Sequence, residues 1–589
     1  MCEITFYVWV AGIEVSTGPL GQGISNAIGM AIAERHMAAT FNTPDHKIFD
    51  NFTYVICGDG CLQEGISGEA SSLAGHLGLG KLIVLYDDND ITIDGETNLS
   101  FTEDVVKRYE AYGWHTQSVS DAQQNLGNLR AAITAAQAVT NKPSIIKVKT
   151  DIGYGSPSKA GTAAAHGAPL GAEDLAGAKK FYGLPKDKSF YVPGDVQKVF
   201  TEAAKHGDKK RVAWDAAFAD YTAAHPEKAA ELSRRIAGKL PDGIFANLPS
   251  FTVGKDKDLA TRKFSEKMLN AMCPLLSEMV GGSADLTPSN CTHFEGATDF
   301  QKDSPEGRYF RFGVREHAMG AISNGIFAYG GLRPFCATFL TFAGYMLGAI
   351  RLAAISKFPI IYIMTHDSIG LGEDGPTHQP IETLESLRCM PNILVYRPAD
   401  SNEMAAAYKI ALSRNTMPTL IACSRSTVKG IETSSIDKAC KGAYVALSAA
   451  EKPKLILIGT GSEVEFCMEA AVKLTAEGTP TQVVSMPCQE VFLEQSDEYQ
   501  REVLPGNVPT LSVEASSPHG WHRFSHAQVA MTTFGASGSG ADVFKHFGFS
   551  TENVVAKGKA LVEFYEGGDV PDLMNRPVFN NIQGDAGHH

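Results

Sequence analysis

The stretch GDGCLQEGISGEASSLAGHLGLGKLIVLYDDND, residues 58–90, decides the fold of this chain. One apolar run, TYVICGD (53–59), ends in Gly-Asp-Gly, and a second, KLIVLYDD (81–88), ends just before Asn89. A helical stretch near 64–76 lies between them. Strand, helix and strand in this order predict a right-handed crossover in a parallel sheet, which brings Asp59 and Asn89 to the same sheet edge.

Asp59 and Asn89 predict a magnesium and diphosphate site at that edge. Their carboxylate and amide oxygens are ligands that Mg²⁺ accepts together with substrate phosphates. Gly58 and Gly60 allow a close backbone approach and leave amide groups free for a phosphate. Taken alone, Gly-Asp-Gly is more often only a turn from a strand to a helix. Its combination with Asn89 in one strand–helix–strand unit favours the binding site.

The alternation of apolar strands with amphipathic helices predicts an α/β protein with two doubly wound parallel-sheet domains and a smaller C-terminal α/β domain. The first domain is expected at 1–225, followed by a helix and a linker at 226–255. The second is expected at 256–430, where MVGGSAD, LRPFCATF, PIIYIMTHD and NILVYRPAD are predicted strands. The third is expected at 445–589 and opens with the strand PKLILIGTGSE.

Composition and charge exclude several classes of protein. Of the 589 residues, 44% are hydrophobic and 20% are charged, which is typical of globular domains. The formal net charge of -14 argues against a nucleic-acid or membrane-surface partner, because both need a basic face. No apolar stretch predicts a membrane span. The 11 cysteines show no disulfide or metal spacing, which indicates reduced thiols in the cytoplasm, with a plastid as the alternative compartment.

Several motifs resemble the transketolase family. Gly-Asp-Gly followed about thirty residues later by Asn is similar to the thiamine diphosphate signature. STGPLGQGISNA and YDDNDITIDG resemble transketolase segments in the first domain, and GGSADLTPSN, RYFRFGVREHAMGA, THDSIGLGEDGPTHQPIE and YRPAD do so in the second. The resemblance runs from about Gly12 into the third domain. It implies thiamine diphosphate and Mg²⁺ as cofactors, with Ca²⁺ or Mn²⁺ able to replace Mg²⁺.

The resemblance implies that the first domain holds the metal and the diphosphate. The metal ligands would be the side chains of Asp59 and Asn89 and the backbone carbonyl of Ile91. Gly60 and His166 would approach the diphosphate, and His166 would also contact the substrate. Without the resemblance, a histidine in a segment such as HGAPL is more often an ordinary surface-loop residue.

Three further residues are implied on the cofactor side. Gly18 and Leu20, in TGPLGQG, would contact the cofactor, and Leu20 would act as an apolar wedge that keeps its two rings bent. Asp285, in GSADLT, would lie on the same side. A glycine-rich turn alone is a weak signal, so these assignments depend on the surrounding motifs.

Glu316, in REHAMG, resembles the essential glutamate of the family. The chemistry needs a carboxylic acid that faces a ring nitrogen of the cofactor's aminopyrimidine, which promotes removal of a proton from the reactive carbon. The alternatives for Arg-Glu-His are a solvated salt-bridge patch or a carboxylate at a helix start. Glu64 resembles the residue that couples to this glutamate across a subunit interface.

An aromatic set is expected at the pyrimidine ring. Phe339, Phe342 and Tyr345, in ATFLTFAGY, are three residues apart, which predicts one face of a helix. Their ordinary interpretation is core packing. The resemblance implies that they form the pocket for the pyrimidine ring.

The segment THDSIGLGEDGPTHQP predicts a strand end followed by a glycine-rich loop that faces a ligand. The resemblance implies that His366 contacts the substrate phosphate, that Asp374 binds the C2 hydroxyl and that His378 lies near the reacting carbons. The residues implied to complete the phosphate site are Arg262, Ser289 and Arg425. The planar fork of arginine matches phosphate oxygens, although each arginine alone is more often in a surface salt bridge.

The resemblance implies a homodimer with two sites at its interface and sugar phosphates as substrates. The expected reaction is the reversible transfer of a two-carbon ketol unit from xylulose 5-phosphate to ribose 5-phosphate or erythrose 4-phosphate, as in the pentose phosphate pathway and the Calvin cycle. The alternatives are a dihydroxyacetone synthase-like or deoxyxylulose-phosphate synthase-like enzyme. Transketolases carry a segment with histidines before STGPLGQG, and MCEITFYVWV does not resemble it. A non-catalytic or impaired transketolase-like protein is therefore a further alternative.

Overall fold

A computed structural model of the protein describes residues 12–576. Its first sheet has four parallel strands in the order β1–β2–β4–β3. The strands are β1 Thr53–Gly58, β2 Leu82–Asp88, β3 His115–Val119 and β4 Ser144–Lys149. Thr53 lies opposite Leu82 and Gly58 lies opposite Asp87, so both strands end at the same edge. The predicted crossover unit is confirmed.

The second sheet has six parallel strands in the order β9–β10–β8–β7–β5–β6. The strands are β5 Met279–Ser283, β6 Tyr309–Arg311, β7 Arg333–Phe339, β8 Ile361–Thr365, β9 Leu394–Tyr396 and β10 Thr419–Cys423. Every residue of β8 and β10 is buried. Continuous apolar runs of this kind are typical of strands covered by helices on both sheet faces.

The third sheet is smaller and mixed, in the order β11–β13–β12–β14–β15. The strands are β11 Tyr444–Leu447, β12 Leu455–Gly459, β13 Thr481–Ser485, β14 Thr510–Val513 and β15 Ala527–Val529. Only β11 runs antiparallel, against β13. The carboxyl ends of β12 and β14 face the second sheet's domain, since Thr460 and Glu514 contact Arg397 there.

The longer helices cover these sheets. They are α1 Gln22–Phe41, α2 Gly65–Leu77, α3 Val105–Ala111, α4 Leu126–Gln137, α5 Ala172–Phe181, α6 Gly194–Ala224, α7 Pro226–Ile236, α8 Thr261–Met272, α9 Glu316–Tyr329, α10 Leu347–Ser356, α11 Thr383–Arg388, α12 Ser401–Ser413, α13 Val464–Ala476, α14 Asp497–Val503, α15 Gly540–His546 and α16 Thr551–Phe564. None of the helices described between residues 12 and 576 is both long and apolar enough to cross a membrane.

The segment 226–255 begins with helix α7, as the sequence predicts. Arg234 of α7 donates hydrogen bonds of 2.5 and 2.9 Å to Glu278, which precedes β5. The first part of the expected linker is therefore a helix fixed to the second domain.

Helices α1 and α9 join the first two domains through direct backbone contact. A Cβ atom placed on Gly29 of α1 would collide with the carbonyl oxygen of Ile322, and one on Gly325 of α9 would collide with that of Asn26. Both positions thus need glycine so that the helix axes can approach closely. The crossing fixes the start of α9, where Glu316 lies, against the first domain.

We expect Gly29→Ala to destabilise this junction. The added methyl group meets backbone atoms that cannot move aside, and overpacking of this kind costs about 2 kcal/mol, which lowers the midpoint of thermal unfolding of the two joined domains by about 2 °C. Gly23→Ala in the same helix is the matched control, because its Cβ would make only an ordinary 3.6 Å contact with Thr17. An equal midpoint for both variants would contradict the close crossing.

Candidate active site

Asp59 lies at the centre of the first strand-end cluster. It begins the short helix Asp59–Gln63 directly after β1, and its side chain is buried. Tyr86 of β2 donates a 2.5 Å hydrogen bond to Asp59 Oδ1, and the backbone N–H of Asn89 also donates to this carboxylate. Burial raises the pKa of Asp59, although these two donors oppose the shift. The structure thus brings Asp59 and Asn89 together, as predicted.

The other oxygen of Asp59 suits a cation. Oδ2 is buried and has no hydrogen-bond partner within residues 12–576. The Asn89 side chain accepts a hydrogen bond from the Ile91 N–H at 3.1 Å and donates one to Asp87 at 2.9 Å. In the described part of the chain, no group of three or more His, Cys, Asp or Glu side chains could hold a metal. One carboxylate with amide and carbonyl oxygens fits Mg²⁺ that takes its remaining ligands from a phosphate.

Gly18, Leu20 and Gly60 lie at the same edge. A Cβ atom on Gly60 would stand 3.0 Å from Leu20 Cδ1, so the two sequence motifs are in contact. Gly18 has a φ of 89°, a conformation that favours glycine. The Leu20 side chain is 51% exposed, which leaves an apolar surface beside the Asp59 cluster.

Sequence reasoning missed the polar residues behind Asp59. Tyr86 bonds both Asp59 and Asp88, and Lys147 of β4 pairs with Asp88 at 3.2 Å. Lys149 pairs with Asp90. The signal was present, because Lys147 and Lys149 alternate within the apolar run SIIKVK and lie opposite Tyr86 and Asp88 in the sheet.

Glu316 begins helix α9 in the second domain and is half-buried. Burial raises its pKa, and the nearby carboxylate of Glu69 raises it further. Glu69 belongs to α2 and accepts a 2.9 Å hydrogen bond from the Ala318 N–H, which satisfies a free donor at the start of α9. Glu69, which the sequence analysis did not identify, therefore both anchors the helix and favours the protonated form of Glu316.

The aromatic residues lie near this helix in a different local structure from the one predicted. Phe339 ends β7, and Leu340–Met346 is a 3₁₀ helix, in which residues three apart stand directly above one another. Phe339 and Phe342 are stacked with centroids 5.7 Å apart, and Phe342 meets Tyr345 edge-on at 6.0 Å. Phe339 is buried, whereas Tyr345 is 68% exposed. Core packing therefore accounts for Phe339 and not for Tyr345.

His366 is the centre of a second cluster, at the end of β8. It is buried, and its ring stacks on Phe339 at 3.7 Å. Burial, together with the positive charges of Arg262 and Arg425 and the neighbouring His378, lowers its pKa to about 3. Thr365 donates to Asn290 at 2.7 Å and contacts His366 Nδ1 at 2.8 Å, so Nδ1 carries the proton of the neutral ring. The structure thus brings together four of the predicted substrate residues.

Arg262 and Ser289 are in direct contact, and Arg262 has a free donor. Its Nη1 donates a 2.8 Å hydrogen bond to the Ser289 carbonyl, while Nε is buried without a partner among the described residues. Arg425 is partly exposed and bonds the carbonyl of Leu371. The His378 ring lies 5.3 Å from that of Phe342. Two cations and an unpaired N–H beside a histidine are suited to an anion such as phosphate.

Four predicted site residues lie on exposed surface. His166 is in the loop after the 3₁₀ turn Ala163–Ala165, Asp285 has a φ of 60°, and Asp374 is in the glycine-rich loop. Glu64 is exposed beside His317, whose ring contacts Gln22 at 2.8 Å. No hydrogen bond that the structure describes joins these four residues to Asp59, Glu316 or His366.

The two strand-end clusters lie in different domains of one chain. Asp59, Asn89, Gly60 and Leu20 form one cluster, and Glu316, the aromatic residues and His366 form the other. Within residues 12–576, no described hydrogen bond or ion pair joins the two. This arrangement fits the thiamine diphosphate-binding class of enzyme that the sequence motifs resemble. One doubly wound domain carries the Asp–Asn oxygen set, and the second carries an acid with a raised pKa beside aromatic rings.

Comparison with known proteins identifies the family within this class. Three family models match in succession: Transketolase, thiamine diphosphate binding domain at residues 6–241, Transketolase, pyrimidine binding domain at 257–430, and Transketolase-like TK C-terminal domain at 442–550. The chain belongs to the transketolase family.

Individual relatives match over most of their length. A transketolase from Nostoc sp. is 52% identical over 94% of this chain and 83% of its own. Transketolase 1 from Saccharomyces cerevisiae is 50% identical over 94% of this chain and 82% of its own. A crystal structure of a Pichia stipitis transketolase in complex with sedoheptulose 7-phosphate has a TM-score of 0.95 and 49% identity, covering 98% of this chain and 85% of that one.

Proposed function

We propose that this transketolase-family enzyme transfers a two-carbon ketol unit reversibly from a ketose phosphate, such as xylulose 5-phosphate, to an aldose phosphate, such as ribose 5-phosphate or erythrose 4-phosphate. The observation that carries the substrate class is the cluster of His366 with Arg262 and Arg425 beside the aromatic face. Solved relatives from Pichia stipitis are described in complex with sedoheptulose 7-phosphate and xylulose 5-phosphate, which supports the same class.

The first strand-end cluster fits the cofactor. Asp59, Asn89 and the Ile91 carbonyl would bind Mg²⁺, Ca²⁺ or Mn²⁺ with the diphosphate, and the unpaired Asp59 Oδ2 supports this assignment. The residues proposed to line the rest of the cofactor are Gly18, Leu20, Gly60, His166 and Asp285. When bound, thiamine diphosphate supplies a nucleophilic carbon and an electron sink for breaking the bond between C2 and C3 of the ketose.

The second domain would supply proton control and substrate orientation. Glu316, whose pKa burial raises, can donate a hydrogen bond to a ring nitrogen as the neutral acid. Phe339, Phe342 and Tyr345 would hold an aromatic ring by stacking. Asp374 would bind the C2 hydroxyl of the aldose, since C2 of the ketose is a carbonyl. His378 would donate a hydrogen bond or transfer a proton near the reacting carbons. Glu64 would couple to the partner subunit's glutamate.

The arginines should affect how tightly the enzyme binds sugar phosphates rather than the rate of the chemical step. We expect Arg262→Leu to raise the KM for xylulose 5-phosphate about 30-fold, because a charge-assisted hydrogen bond contributes about 2 kcal/mol. kcat should change less than about threefold, and unphosphorylated xylulose should be used as well as before. Steady-state kinetics with both sugars measures this.

Lys267→Leu is the matched control for Arg262→Leu. Lys267 lies on the same helix, α8, but is exposed beside Phe251 and Phe264. Lys267→Leu removes one positive charge, as Arg262→Leu does, and should leave the KM values for xylulose 5-phosphate and for xylulose unchanged. An equal loss with phosphorylated and unphosphorylated xylulose in Arg262→Leu would contradict the phosphate role.

A homodimer would complete the site. The two strand-end clusters carry exposed apolar side chains, namely Leu20 at 51%, Val314 at 72% and Tyr345 at 68%. Large apolar side chains at the rim of half a polar site are typical of an interface. We propose that the Asp59 cluster of one protomer faces the Glu316 cluster of its partner.

Mixing two inactive variants tests this arrangement. Asp59→Asn and Glu316→Gln homodimers should each be inactive. If chains exchange freely in an equal mixture, half of the dimers are mixed and each has one intact site, so activity should return to about a quarter of the wild-type value. Ketol-transfer rates after co-refolding or co-expression measure this. Sites built within single chains would give no recovery.

The proposed reaction is tested with xylulose 5-phosphate, ribose 5-phosphate, Mg²⁺ and thiamine diphosphate in a coupled assay. Transfer that depends on the cofactor supports the proposal. Preferred use of formaldehyde as acceptor would indicate a dihydroxyacetone synthase-like enzyme, and use of pyruvate would indicate a deoxyxylulose-phosphate synthase-like one. A folded dimer that binds the cofactor without turnover would be the non-catalytic alternative.

We propose the cytoplasm as the compartment, with the plastid as the alternative. Ten cysteines within the described residues are free thiols, which is typical of a reducing compartment. Relatives from Solanum tuberosum and Zea mays are named as chloroplastic transketolases, and they motivate the alternative.

A further inference from the structure

A fully buried arginine of the second domain connects the C-terminal domain to the phosphate-site histidine. Arg397 follows β9, and none of its side chain is exposed to solvent. Its Nε donates a 2.9 Å hydrogen bond to Asp367, the residue directly after His366. Its Nη1 donates to Thr460 Oγ1 at 2.9 Å and also bonds Glu463, both in the C-terminal domain.

The backbone of Arg397 is tied to the C-terminal domain as well. Its N–H donates to the Pro487 carbonyl at 2.8 Å, and its carbonyl accepts from Gly461 at 3.2 Å. A Cβ atom on Gly461 would stand 2.8 Å from the guanidinium carbon, so the loop after β12 closes directly over the arginine. Side chain and backbone together leave Arg397 little freedom to move.

A larger ion cluster lies behind this arginine. Glu514 accepts hydrogen bonds from Arg388 at 2.8 and 2.9 Å and from Trp521 at 2.8 Å, and it lies 3.6 Å from Arg397. Glu385 accepts a 2.6 Å hydrogen bond from Arg388 Nη1, the same nitrogen that donates to Glu514. Burial alone would raise the pKa of Glu514, but the two arginines outweigh it and lower that pKa to about 2. The cluster therefore holds a fixed charge that anchors Arg397.

Stability alone does not account for such a cluster. Buried ion pairs seldom stabilise a protein more than well-packed apolar side chains of the same size, because removing charges from water is costly. They do fix one geometry, since each charge must keep its partners.

His366 is the residue near this cluster whose geometry needs to be fixed. Its φ of 63° lies in the left-handed region, which is unfavourable for residues other than glycine and persists only when surrounding contacts hold it. The stack on Phe339 constrains the ring from one side. On the chain itself, the adjacent Asp367 is buried, and Arg397 is the hydrogen-bond donor that the structure describes for its carboxylate.

We propose that Arg397 is a positioning residue for sugar-phosphate binding: through Asp367 it holds His366 in its left-handed conformation, and the C-terminal domain takes part in the site by fixing Arg397 through Thr460 and Glu463. This inference rests on the proposed phosphate role of His366. It gives the C-terminal domain a role in sugar-phosphate affinity although none of its residues belongs to the proposed site.

The test removes the hydrogen bond between Arg397 and Asp367 and keeps the arginine. In Asp367→Ala, Arg397 keeps Glu463 and Glu514 as partners, so no unpaired charge is left and the chain should fold. Titration calorimetry on the dimer loaded with Mg²⁺ and thiamine diphosphate should show ribose 5-phosphate binding about tenfold more weakly than in wild type. Binding of unphosphorylated ribose and kcat should stay within about twofold.

Two variants separate positioning from general damage. Asp367→Asn keeps an oxygen that can accept from Arg397 Nε, so it should restore ribose 5-phosphate binding to within about threefold of wild type. Glu385→Gln changes the same ion cluster at Arg388 Nη1 and leaves the hydrogen bond between Arg397 and Asp367 in place, so it should not change ribose 5-phosphate binding. Thr460→Val should weaken ribose 5-phosphate binding about threefold, since it removes one contact of the C-terminal domain with Arg397.

The outcomes distinguish this inference from the proposed function. His366→Ala is the reference: if it weakens ribose 5-phosphate binding and Asp367→Ala does not, the role of Arg397 is overturned while the phosphate site stands. If neither variant changes binding, both the phosphate role and the inference fail. If wild-type protein shows no ketol transfer, the proposed function fails, and ribose 5-phosphate binding by Asp367→Ala still decides the role of Arg397.

Discussion

Replacing Glu316 by glutamine is expected to lower kcat for ketol transfer by about a thousandfold, the effect typical of losing a positioned acid or base. Glutamine has nearly the same shape, and the Glu69 contact to the start of α9 goes to the Ala318 N–H rather than to Glu316. Folding and dimerisation should therefore be unchanged. What is lost is a carboxyl group that can exchange a proton with a ring nitrogen, since an amide cannot.

Kinetics under saturating cofactor and both sugars measures this effect, with binding of thiamine diphosphate followed separately. The matched control is Glu306→Gln, because Glu306 is an exposed glutamate ten residues earlier in the same domain. That control should retain full activity. A Glu316→Gln enzyme within about tenfold of wild type would show that another group controls the proton.

Replacing Asp59 by asparagine should abolish metal-dependent cofactor binding. Loss of an interaction that merely orients a metal ligand costs 10–100-fold in affinity, so loss of the ligand's own charge should cost about 100-fold or more. In wild-type protein, cofactor and Mg²⁺ at 100 times the dissociation constant add about 2.7 kcal/mol of stability. The variant should show no such gain in a thermal-shift experiment.

In the protein without ligands, Asp59→Asn is not expected to reduce stability. Burial raises the pKa of Asp59, which means that the folded chain disfavours its charge. Asparagine removes that charge and can still accept the hydrogen bond from Tyr86. The unliganded variant should therefore unfold at the same temperature as wild type or slightly above it.

Asp94→Asn provides the control for Asp59→Asn. Asp94 lies on the exposed turn between the short strands Ile91–Thr92 and Gly95–Glu96, close to the proposed metal in sequence but on the surface. It should keep the full thermal shift. If cofactor and Mg²⁺ raise the melting temperature of Asp59→Asn as much as that of wild type, Asp59 is not a metal ligand.

The sheets could be predicted from sequence because their central strands are buried on both faces. β2, β8 and β12 stand out as buried apolar runs, and the structure places each as predicted. β1 was also predicted as an apolar run, although it lies at the edge of its sheet and is partly exposed. Strands β3 and β15 were not predicted. HTQSV and AQV are short and partly polar, and only their sheet partners make them strands.

The clusters at the strand ends could be predicted in part. Asp59 and Asn89 follow from topology alone, since parallel strands end together. The convergence of Arg262, Arg425 and His366 came only through the family resemblance, because these residues lie far apart in sequence. Glu69 and Arg397 were not predicted, since each acts through a neighbour that packing, and not sequence order, brings close.

For Phe339, Phe342 and Tyr345, the type of helix was harder to predict than the contacts among the three rings. A spacing of three fits an α-helical face loosely and a 3₁₀ helix directly, and sequence did not separate the two. The left-handed His366 is a second case, because histidine carries no signal for that conformation of the kind that glycine does.

In the proposed homodimer, the glycine contact between α1 and α9 would limit which chains can be combined. Gly29 and Gly325 set the separation between the Asp59 end and the Glu316 end of each protomer. In a dimer whose two sites each combine halves from both protomers, that separation must be the same in the two chains. Hybrids of diverged transketolases should therefore assemble into working enzymes only where both parents keep small residues at this crossing, which makes these two glycines a criterion for choosing chimera partners.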